Sequence, residues 1–372
     1  MNLRENTLAV LRYQKYDRLP VVHFGFWNET LDKWAEEGHI SKEDAASWYD
    51  GGIVDKLIGS KLGFDLNWYS CFAPNTDLFP KFKTKVLRTR EDGFEEIIND
   101  DGVIVLRKPG IISIPAEIDH LLKDRKSYEQ YYKPKLQYDD RRIDFDYLSK
   151  LSENNNVDSL IGLHCGSLFG NIRNRIGVEG CAYIYADDED LFKEMVDDNA
   201  NLSYTVVEKI LKSGAKFDFA HFWEDICFKN GPLVVPSVFD EIVGPHYKRI
   251  TSLLNSYGID IISLDCDGLI DSLIPTWFEN GVNTMFPIEV GTWGASILPW
   301  RKKYGKELKG VGGMNKTVFA QDRKAIDAEI ERLKPLVELG GYIPCPDHRI
   351  APDTIWENVQ YYCYKMNETF NK

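Results

Sequence analysis

Four apolar runs in the second half of the chain each end in a cluster of acids, histidines or cysteines. They read FDFAHFWED (217–225), IDIISLDCDG (259–268), TMFPIEV (284–290) and GGYIPCPDHR (340–349). The polar residues near their ends are His221, Glu224, Asp225, Asp265, Cys266, Asp267, Glu289, Cys345, Asp347 and His348. Carboxylates, thiolates and imidazoles bind zinc and exchange protons. The clusters therefore predict acid–base or metal-assisted chemistry, provided that the fold brings them together.

Segments with helical spacing separate these runs, so strands and helices alternate along the second half. Helices are predicted at residues 188–212, 237–257, 270–280, 322–339 and 352–366, with a kink at Pro245. Strand–helix alternation is typical of a parallel sheet with crossover helices. We predict a single (β/α)8 TIM barrel, an α/β fold, over residues 1–372, with the carboxyl ends of the strands at one mouth.

The first part of the chain predicts additions to this barrel. A lead-in helix in residues 1–18 precedes the first candidate strand, LPVVHFGFW (19–27). Residues 80–114 form short alternating runs that are broken at EDG and NDDG, and Asp-Gly pairs favour tight hairpin turns. We therefore expect a β-hairpin excursion at 80–114, within an N-terminal helical and antiparallel β elaboration of the barrel.

Composition excludes several classes of protein. The 372 residues are 43% apolar, enough for a large core. The net charge of −13 and the pI near 5.1 argue against a nucleic-acid partner. We see no export signal and no stretch approaching the roughly 20 apolar residues of a membrane span. The seven cysteines form no CxxC pair, so reduced thiols, a cytoplasmic location and no membrane partner are expected.

Three blocks of the sequence resemble the uroporphyrinogen decarboxylase superfamily. They are WEDICFKNGPLVVPSVFDEIVGPHYKRI, LDCDGLIDSLIPTWFENGVNTMFPIEV and GGYIPCPDHRIAPDTIWENVQYY. The resemblance covers roughly residues 158–366 well and the first 150 residues only loosely. It implies a (β/α)8 barrel and one of two activities: the decarboxylation of tetrapyrroles, or corrinoid-dependent methyl transfer in anaerobic one-carbon metabolism.

The region after the first strand favours the methyltransferase branch. The tetrapyrrole decarboxylases resemble each other in an arginine-bearing motif here, which holds a substrate with many carboxylates. This chain has VVHFGFWNET instead, and no arginine occurs between Arg18 and Arg88. Aromatic side chains predicted at the mouth suit a small apolar or aromatic substrate. The predicted substrate-binding residues are Phe26, Trp27, His164, His221, Trp223, Asp225 and Trp293.

Resemblance to this branch implies a zinc site. Its members hold zinc with a His-x-Cys pair and a cysteine near the C-terminus, and in related barrels a glutamate lies between them. Here Asp265, Asp267, Glu289 and His348 fall at these positions, so they are the expected ligands. Cys266 and Cys345 are alternative ligands. The predicted catalytic residues are Glu224, Asp267, Glu289 and His348.

Structural interpretations compete with these roles. Asp265 to Gly268 could simply form a turn, and Glu224 and Asp225 could cap the following loop. His221 is as readily a core histidine, and His348 could act as a hydrogen-bonding neighbour of the ligands rather than as one of them. Buried, inert thiols are the alternative for both cysteines.

The expected function is that of an O-demethylase methyltransferase component. A methyl group would leave a small methoxylated, aromatic substrate with the help of zinc or a general acid. It would pass to cob(I)alamin on a separate corrinoid protein, because the chain has no second domain of a size to enclose that cofactor. A cofactor-free decarboxylase and a non-catalytic corrinoid-binding barrel are the alternatives. The sequence leaves the methyl donor and the oligomeric state, including a homodimer, open.

Overall fold

A parallel seven-stranded sheet forms the centre of the protein. The computed structural model describes residues 1–109, 115–153, 158 and 160–371. From one edge to the other, the strands are Tyr342–Pro346, Lys309–Met314, Thr284–Phe286, Ile262–Asp265, Phe219–Trp223, Gly162–His164 and Cys71–Phe72. Every neighbouring pair is parallel. The carboxyl ends of these strands therefore lie along one side, as the predicted α/β class requires.

A second, two-stranded parallel pair lies beside the large sheet. It consists of Val22–His23 and Leu66–Asn67. Just beyond the first of these strands, the Trp27 N–H donates to the Ile350 carbonyl at 3.2 Å, and the Ile350 N–H donates to the Gly25 carbonyl at 3.1 Å. The start of the chain thus meets the segment that follows the last strand of the large sheet. The arrangement is that of a TIM-like α/β fold.

Helices connect the strands. The α-helices are Leu3–Leu11, Asn28–Glu36, Lys42–Ser47, Ile53–Leu62, Arg125–Ser127, Phe145–Glu153, Gly170–Asp187, Glu189–Lys212, Pro236–Ile242, Gly244–Ser256, Ile274–Glu279, Val290–Trp293, Ile297–Tyr304, Arg323–Val337 and Trp356–Phe370. Shorter π and 3₁₀ segments are Tyr128–Tyr132, Lys133–Leu136, Asp140–Arg142, Gly305–Glu307 and Lys316–Ala320. Within the described ranges, no helix has both the length and the apolar character needed to cross a bilayer.

Two predicted helices illustrate how local sequence decides the boundaries. The helix predicted at 188–212 is confirmed as Glu189–Lys212, because the Asp188 side chain caps the Leu191 N–H and the apolar stripe is buried. The helix predicted at 237–257 with a kink at Pro245 is found as two successive helices, Pro236–Ile242 and Gly244–Ser256, which are interrupted at Val243, just before the proline. Pro245 occupies the first turn of the second helix, where its missing N–H costs nothing.

An antiparallel sheet is inserted in the chain between the strands Cys71–Phe72 and Gly162–His164. Its strands, in order, are Lys85–Thr89, Glu95–Ile98, Val103–Arg107 and Ala116–His120. They bury a small apolar cluster of their own, made of Ile97, Val103 and Val105. The predicted excursion at 80–114 contains the first three strands, and its residues 110–114 lie outside the described residues, as does residue 159 of the strand-like segment 158–166. One further antiparallel pair joins Cys227–Phe228 to Gly231–Pro232.

Candidate active site

Acids and one histidine converge at the carboxyl ends of the strands. We call Asp225, Asp265, Asp267, Glu289 and His348 the mouth cluster. His348 Nε2 lies 3.1 Å from Asp267 Oδ2. Burial raises the pKa of each of the other three carboxyls, and the negative charge of Asp267 raises them further. Asp267 is therefore the common neighbour of residues that are far apart in the sequence.

The ring of His348 has a defined orientation. Its Nδ1 accepts the Arg349 N–H at 2.8 Å, which places the ring proton on Nε2, the atom that faces Asp267. Trp27 stacks on the ring at 5.5 Å with an interplanar angle of 15°, and Phe24 lies 5.5 Å from it. The imidazole is thus held between two aromatic side chains with its N–H directed at a carboxylate.

One oxygen of Asp267 is buried and unpaired. Its Oδ2 meets His348, whereas its Oδ1 is enclosed and has no hydrogen-bond partner among the residues that the structure describes. A buried carboxylate oxygen without a donor is costly, so this atom is expected to meet a donor from a bound molecule. No other carboxylate oxygen of the described chain is left enclosed in this way.

The remaining carboxyls of the mouth cluster are tied to neighbouring groups. Glu289 Oε2 accepts the Gly268 N–H at 2.5 Å, and Oε1 accepts the Thr292 hydroxyl at 2.9 Å. Asp265 Oδ2 accepts the Tyr69 hydroxyl at 2.8 Å, and burial raises its pKa well above the usual range. These contacts fix the carboxyl groups in place, while their raised pKa values favour retention of protons.

Asp225, at one side of the cluster, has an unusual backbone conformation. Its φ is 47°, in the left-handed region that few residues other than glycine adopt. Its carboxyl lies 3.4 Å from the Arg173 guanidinium, which also donates to its backbone carbonyl. The strained turn after the strand Phe219–Trp223 therefore directs this side chain toward the mouth.

Two cavities adjoin the mouth cluster. The smaller, of about 250 Å³, is lined by Trp27, Glu289, Gly291, Thr292, Lys316, Thr317, Asp347 and His348. The larger, of about 520 Å³, is lined by Asp50, Tyr69, Cys71, Ala73, Pro74, Asn75, Thr76, Asp77, Lys81, His164, Gly166, Ser167, Asn171 and Trp223. Tyr69 joins the larger cavity to the mouth cluster, since it lines this cavity and its hydroxyl donates a hydrogen bond to Asp265. Both volumes suit small molecules.

Glu224, predicted as catalytic, is enclosed by protein donors and lines neither cavity. Its carboxylate accepts the Ser167 hydroxyl at 2.9 Å and the Tyr247 hydroxyl. It also accepts the N–H groups of Leu168, Phe169 and Gly170 at 2.9, 3.0 and 2.6 Å. Of these three N–H groups, that of Gly170 is the first of the helix Gly170–Asp187, and those of Leu168 and Phe169 directly precede it. Glu224 therefore caps that helix and fixes the peptide that leads to Asp225.

Four of the seven predicted substrate-binding residues line neither cavity: Asp225, described above, and Phe26, Trp293 and His221. Phe26 is 1% exposed and packs against Trp34 at 5.6 Å, within the core. Trp293 packs near Trp300 at 6.3 Å. His221 is fully buried, with Nδ1 3.1 Å from Ser263 Oγ, and burial lowers its pKa well below the usual value. Trp27, His164 and Trp223 do line the cavities.

The mouth cluster as arranged does not fit a zinc shell. The described residues contain no group of three or more acid, histidine or cysteine side chains placed to hold a metal ion. Both nitrogens of His348 are engaged, and burial raises the thiol pKa of Cys266 and of Cys345 well above the usual value. Zinc binding at Asp265, Asp267, Glu289 and His348 stays a prediction.

Three further residues at the mouth were not predicted from the sequence. Tyr69 lies in a stretch without a clear strand pattern, so no periodicity pointed to it. Arg349 pairs with Asp50 at 2.7 Å and spans the Phe24 and Tyr69 rings. Lys316 donates to the Arg349 carbonyl at 3.1 Å, and burial lowers its pKa. In the sequence, Lys316 and Arg349 each lie shortly after a strand, and this position is the feature that could have pointed to them.

Comparison with known proteins defines the fold class. No protein-family model matches the sequence, and the curated proteins contain no significant match. A solved structure of a methyltransferase from Methanosarcina mazei is similar, with a TM-score of 0.65, 16% identity and 99% of each chain covered. A candidate vitamin-B12-independent methionine synthase from Listeria monocytogenes has a TM-score of 0.42 and 12% identity over 96% of this chain and 98% of its own. The first similarity shows that the TIM-like α/β fold extends over the whole chain.

Proposed function

We propose that the chain is a corrinoid-dependent methyltransferase of the uroporphyrinogen decarboxylase superfamily. It transfers a methyl group from a small methoxylated, aromatic substrate to the cobalamin of a separate corrinoid protein. The observation that carries the proposal is the unpaired Asp267 Oδ1 at the centre of an acid cluster, at the strand ends where TIM-fold enzymes place their chemistry. The chain-long fold similarity to a methyltransferase supports the reaction class.

We further propose that the strands close into a (β/α)8 barrel. In this arrangement Val22–His23 is the first barrel strand and Tyr342–Pro346 the last. The two hydrogen bonds between Ile350 and the segment 25–27 support this, because they join the beginning of the chain to the far edge of the large sheet. In a closed barrel, the residues of the mouth cluster lie around one opening.

The reaction needs a proton at the ether oxygen. Breaking the methyl–oxygen bond leaves a strongly basic oxygen, so protonation as the bond breaks lowers the barrier. The methyl group passes to the acceptor, and the oxygen leaves as a neutral hydroxyl. A proton held within the cluster reaches the ether oxygen through Asp267 Oδ1, the oxygen that has no partner among the described residues. Its neighbours Asp225, Asp265 and Glu289 form with it one coupled set that shares protons, since adjacent carboxylates resist ionising together.

His348 positions this acid. Its Nε2–H donates to Asp267 Oδ2, which leaves Oδ1 as the oxygen available for the proton that is transferred. Trp27 covers the outer face of the ring and is 38% exposed at the rim, where it can contact the substrate or the corrinoid protein. The cobalamin, when its protein docks over the mouth, supplies the nucleophile that accepts the methyl group.

The same site supports a decarboxylase less well than a methyltransferase. Such an enzyme requires cations opposite the substrate carboxylate. The nearby cations are engaged by the protein: Arg349 with Asp50, Arg173 with Asp225, and Lys316 with a backbone carbonyl. Each would have to exchange an internal partner for the substrate, whereas an acid cluster is suited to protonation.

A reconstituted assay tests the proposal. The purified protein is mixed with a reduced corrinoid protein and a panel of methoxyaromatic compounds, while the cobalt absorption spectrum and the demethylated product are followed together. We expect both signals to rise in parallel with at least one donor. Failure of every donor, or release of carbon dioxide from a carboxylated aromatic without corrinoid, would overturn it. Metal analysis of protein purified without chelator tests the zinc prediction separately.

A further inference from the structure

The larger cavity at the mouth, which we call the His164 chamber, has the size of a small-molecule site. Its volume is about 520 Å³, and it is lined by the residues given above, among them Tyr69, His164, Asn171 and Trp223. The Tyr69 hydroxyl bonds to Asp265 at 2.8 Å, so the chamber adjoins the mouth cluster through one side chain. A ring bound in the chamber against Tyr69 is therefore separated from Asp265 by that side chain.

The charged side chains that line the chamber are already paired within the protein. Asp50 pairs with Arg349 at 2.7 Å. Asp77 forms an ion pair with Arg175, which is buried, and lies 3.6 Å from the Lys81 ammonium. Lys81 has two more carboxylates within reach, so it is not available to a ligand anion. A carboxylate entering the chamber would lose hydration without gaining a cation.

His164 lines this cavity and has an unused hydrogen-bond donor. Its Nδ1 accepts the Gly166 N–H at 3.1 Å, so the neutral ring carries its proton on Nε2. Burial lowers the pKa of His164 to about 4, so the imidazole is neutral at pH 7. Among the described residues, none accepts a hydrogen bond from Nε2. A neutral N–H donor of this kind suits an ether, hydroxyl or carbonyl oxygen.

Aromatic surface completes the site. Trp223 and His164 both line the chamber, and the Tyr69 ring lies 6.3 Å from the His164 ring. Flat, weakly hydrated faces of this kind hold an aromatic ring by apolar contact and edge or stacking geometry. Asn171, also in the lining, adds an amide without adding charge.

We propose that the His164 chamber binds an uncharged aromatic ring through an oxygen that accepts the His164 Nε2–H, and that it rejects the carboxylated analogue of the same ring. The inference rests on the proposed function in one respect, since it takes the ring to be that of the methyl donor. It narrows that donor from methoxyaromatics in general to neutral ones, such as a methoxyphenol.

Calorimetry on the full chain, without any corrinoid protein, tests this. The ligands are 2-methoxyphenol, which is neutral at pH 7 because phenols ionise near pH 10, and 4-hydroxy-3-methoxybenzoate, its carboxylated analogue. We expect the neutral ring to bind at least tenfold more tightly. Equal or tighter binding of the carboxylate would overturn the proposal, and so would failure of both ligands to bind.

Variants locate the site. His164→Leu removes the donor and should weaken 2-methoxyphenol binding roughly tenfold, whereas His164→Gln, which keeps an N–H, should retain more of the affinity. His39→Leu, at a histidine stacked on Trp356 and absent from the chamber lining, is the matched control. Asn171→Lys adds an unpaired ammonium and should shift the preference toward the carboxylate. Unchanged binding in both His164→Leu and Asn171→Lys would place the ligand elsewhere.

The outcomes separate this inference from the proposed function. If the neutral ring binds as described but no donor is demethylated with corrinoid present, the chamber assignment stands and the methyltransferase proposal fails. If methyl transfer occurs while carboxylated rings bind and react as well as neutral ones, the proposed function stands and the chamber assignment fails.

Discussion

Glu224 and Asp267 follow adjacent strands of the same sheet and differ in how the fold treats their carboxyl groups. Glu224 accepts hydrogen bonds from three backbone N–H groups and two hydroxyls, all provided by the protein. Asp267 has one protein partner, His348, and an enclosed oxygen with none among the described residues. The first acid is fully engaged in holding the structure, whereas the second retains capacity for a bound molecule.

This difference separates structural acids from reactive ones. Burial alone does not mark a reactive acid, because burial raises the pKa of Glu224, whose carboxylate is fully engaged by protein donors. What separates them is whether every lone pair has a donor within the protein. Four substitutions test the distinction, from the largest expected effect to the smallest.

Asp267→Asn should have the largest effect, and it should fall on catalysis. The amide oxygen can still accept the His348 N–H, but the side chain can no longer deliver a proton. We expect the methyl-transfer rate to fall by roughly 10²- to 10⁴-fold, with the free energy of unfolding little changed. Single-turnover kinetics with the corrinoid protein measure the rate, and Asp146→Asn, at an exposed position, is the control. A rate within threefold of the parent would remove Asp267 from the mechanism.

Glu224→Ala should instead reduce stability. It leaves the Ser167 and Tyr247 hydroxyls and the backbone N–H groups of residues 168–170 without their acceptor, at a cost of roughly 3 to 5 kcal/mol of unfolding free energy. Urea denaturation measures the loss. Glu224→Gln keeps one acceptor and should lie between the parent and Glu224→Ala. Equal stability of all three proteins would contradict the capping role.

Asp265→Asn should raise stability at neutral pH. The folded state raises the pKa of Asp265, so the native protein binds this proton more tightly than the unfolded chain, and stability falls as pH rises toward that raised pKa. The neutral amide avoids this loss and can still accept the Tyr69 hydroxyl. We expect a gain of roughly 1 kcal/mol at pH 7.5 that shrinks toward pH 4. A variant less stable than the parent at both pH values would show that Asp265 is held as a carboxylate.

Trp27→Leu should have the smallest effect. It removes the ring that stacks on His348, so the orientation of the imidazole becomes less fixed. We expect the methyl-transfer rate to fall roughly three- to tenfold, without a change in the urea midpoint, because Trp27 is 38% exposed. Tyr49→Leu, at a side chain that is 66% exposed, is the matched surface control. A similar loss of rate in both variants would attribute the effect to the surface in general.

Local patterns predicted the fold class and many boundaries. The apolar stripe and the Asp188 cap marked the helix Glu189–Lys212, and apolar runs marked the strands Ile262–Asp265 and Tyr342–Pro346. Such features depend on residues close in sequence, so they are visible without coordinates. The break before Pro245 was placed less well, because a proline fits both a kink and a first helical turn.

The composition of the mouth was determined by the sequence, since residues that directly follow parallel strands must gather at one side of the sheet. The tertiary structure decided which of these side chains keep a polar atom without a hydrogen-bond partner. Glu224 and Asp267 look alike in the sequence, and only the folded chain gives one of them five donors and the other an unpaired oxygen. The physical reason is that a hydrogen-bond donor can come from any distance along the chain, so the state of a buried acid depends on its neighbours in space.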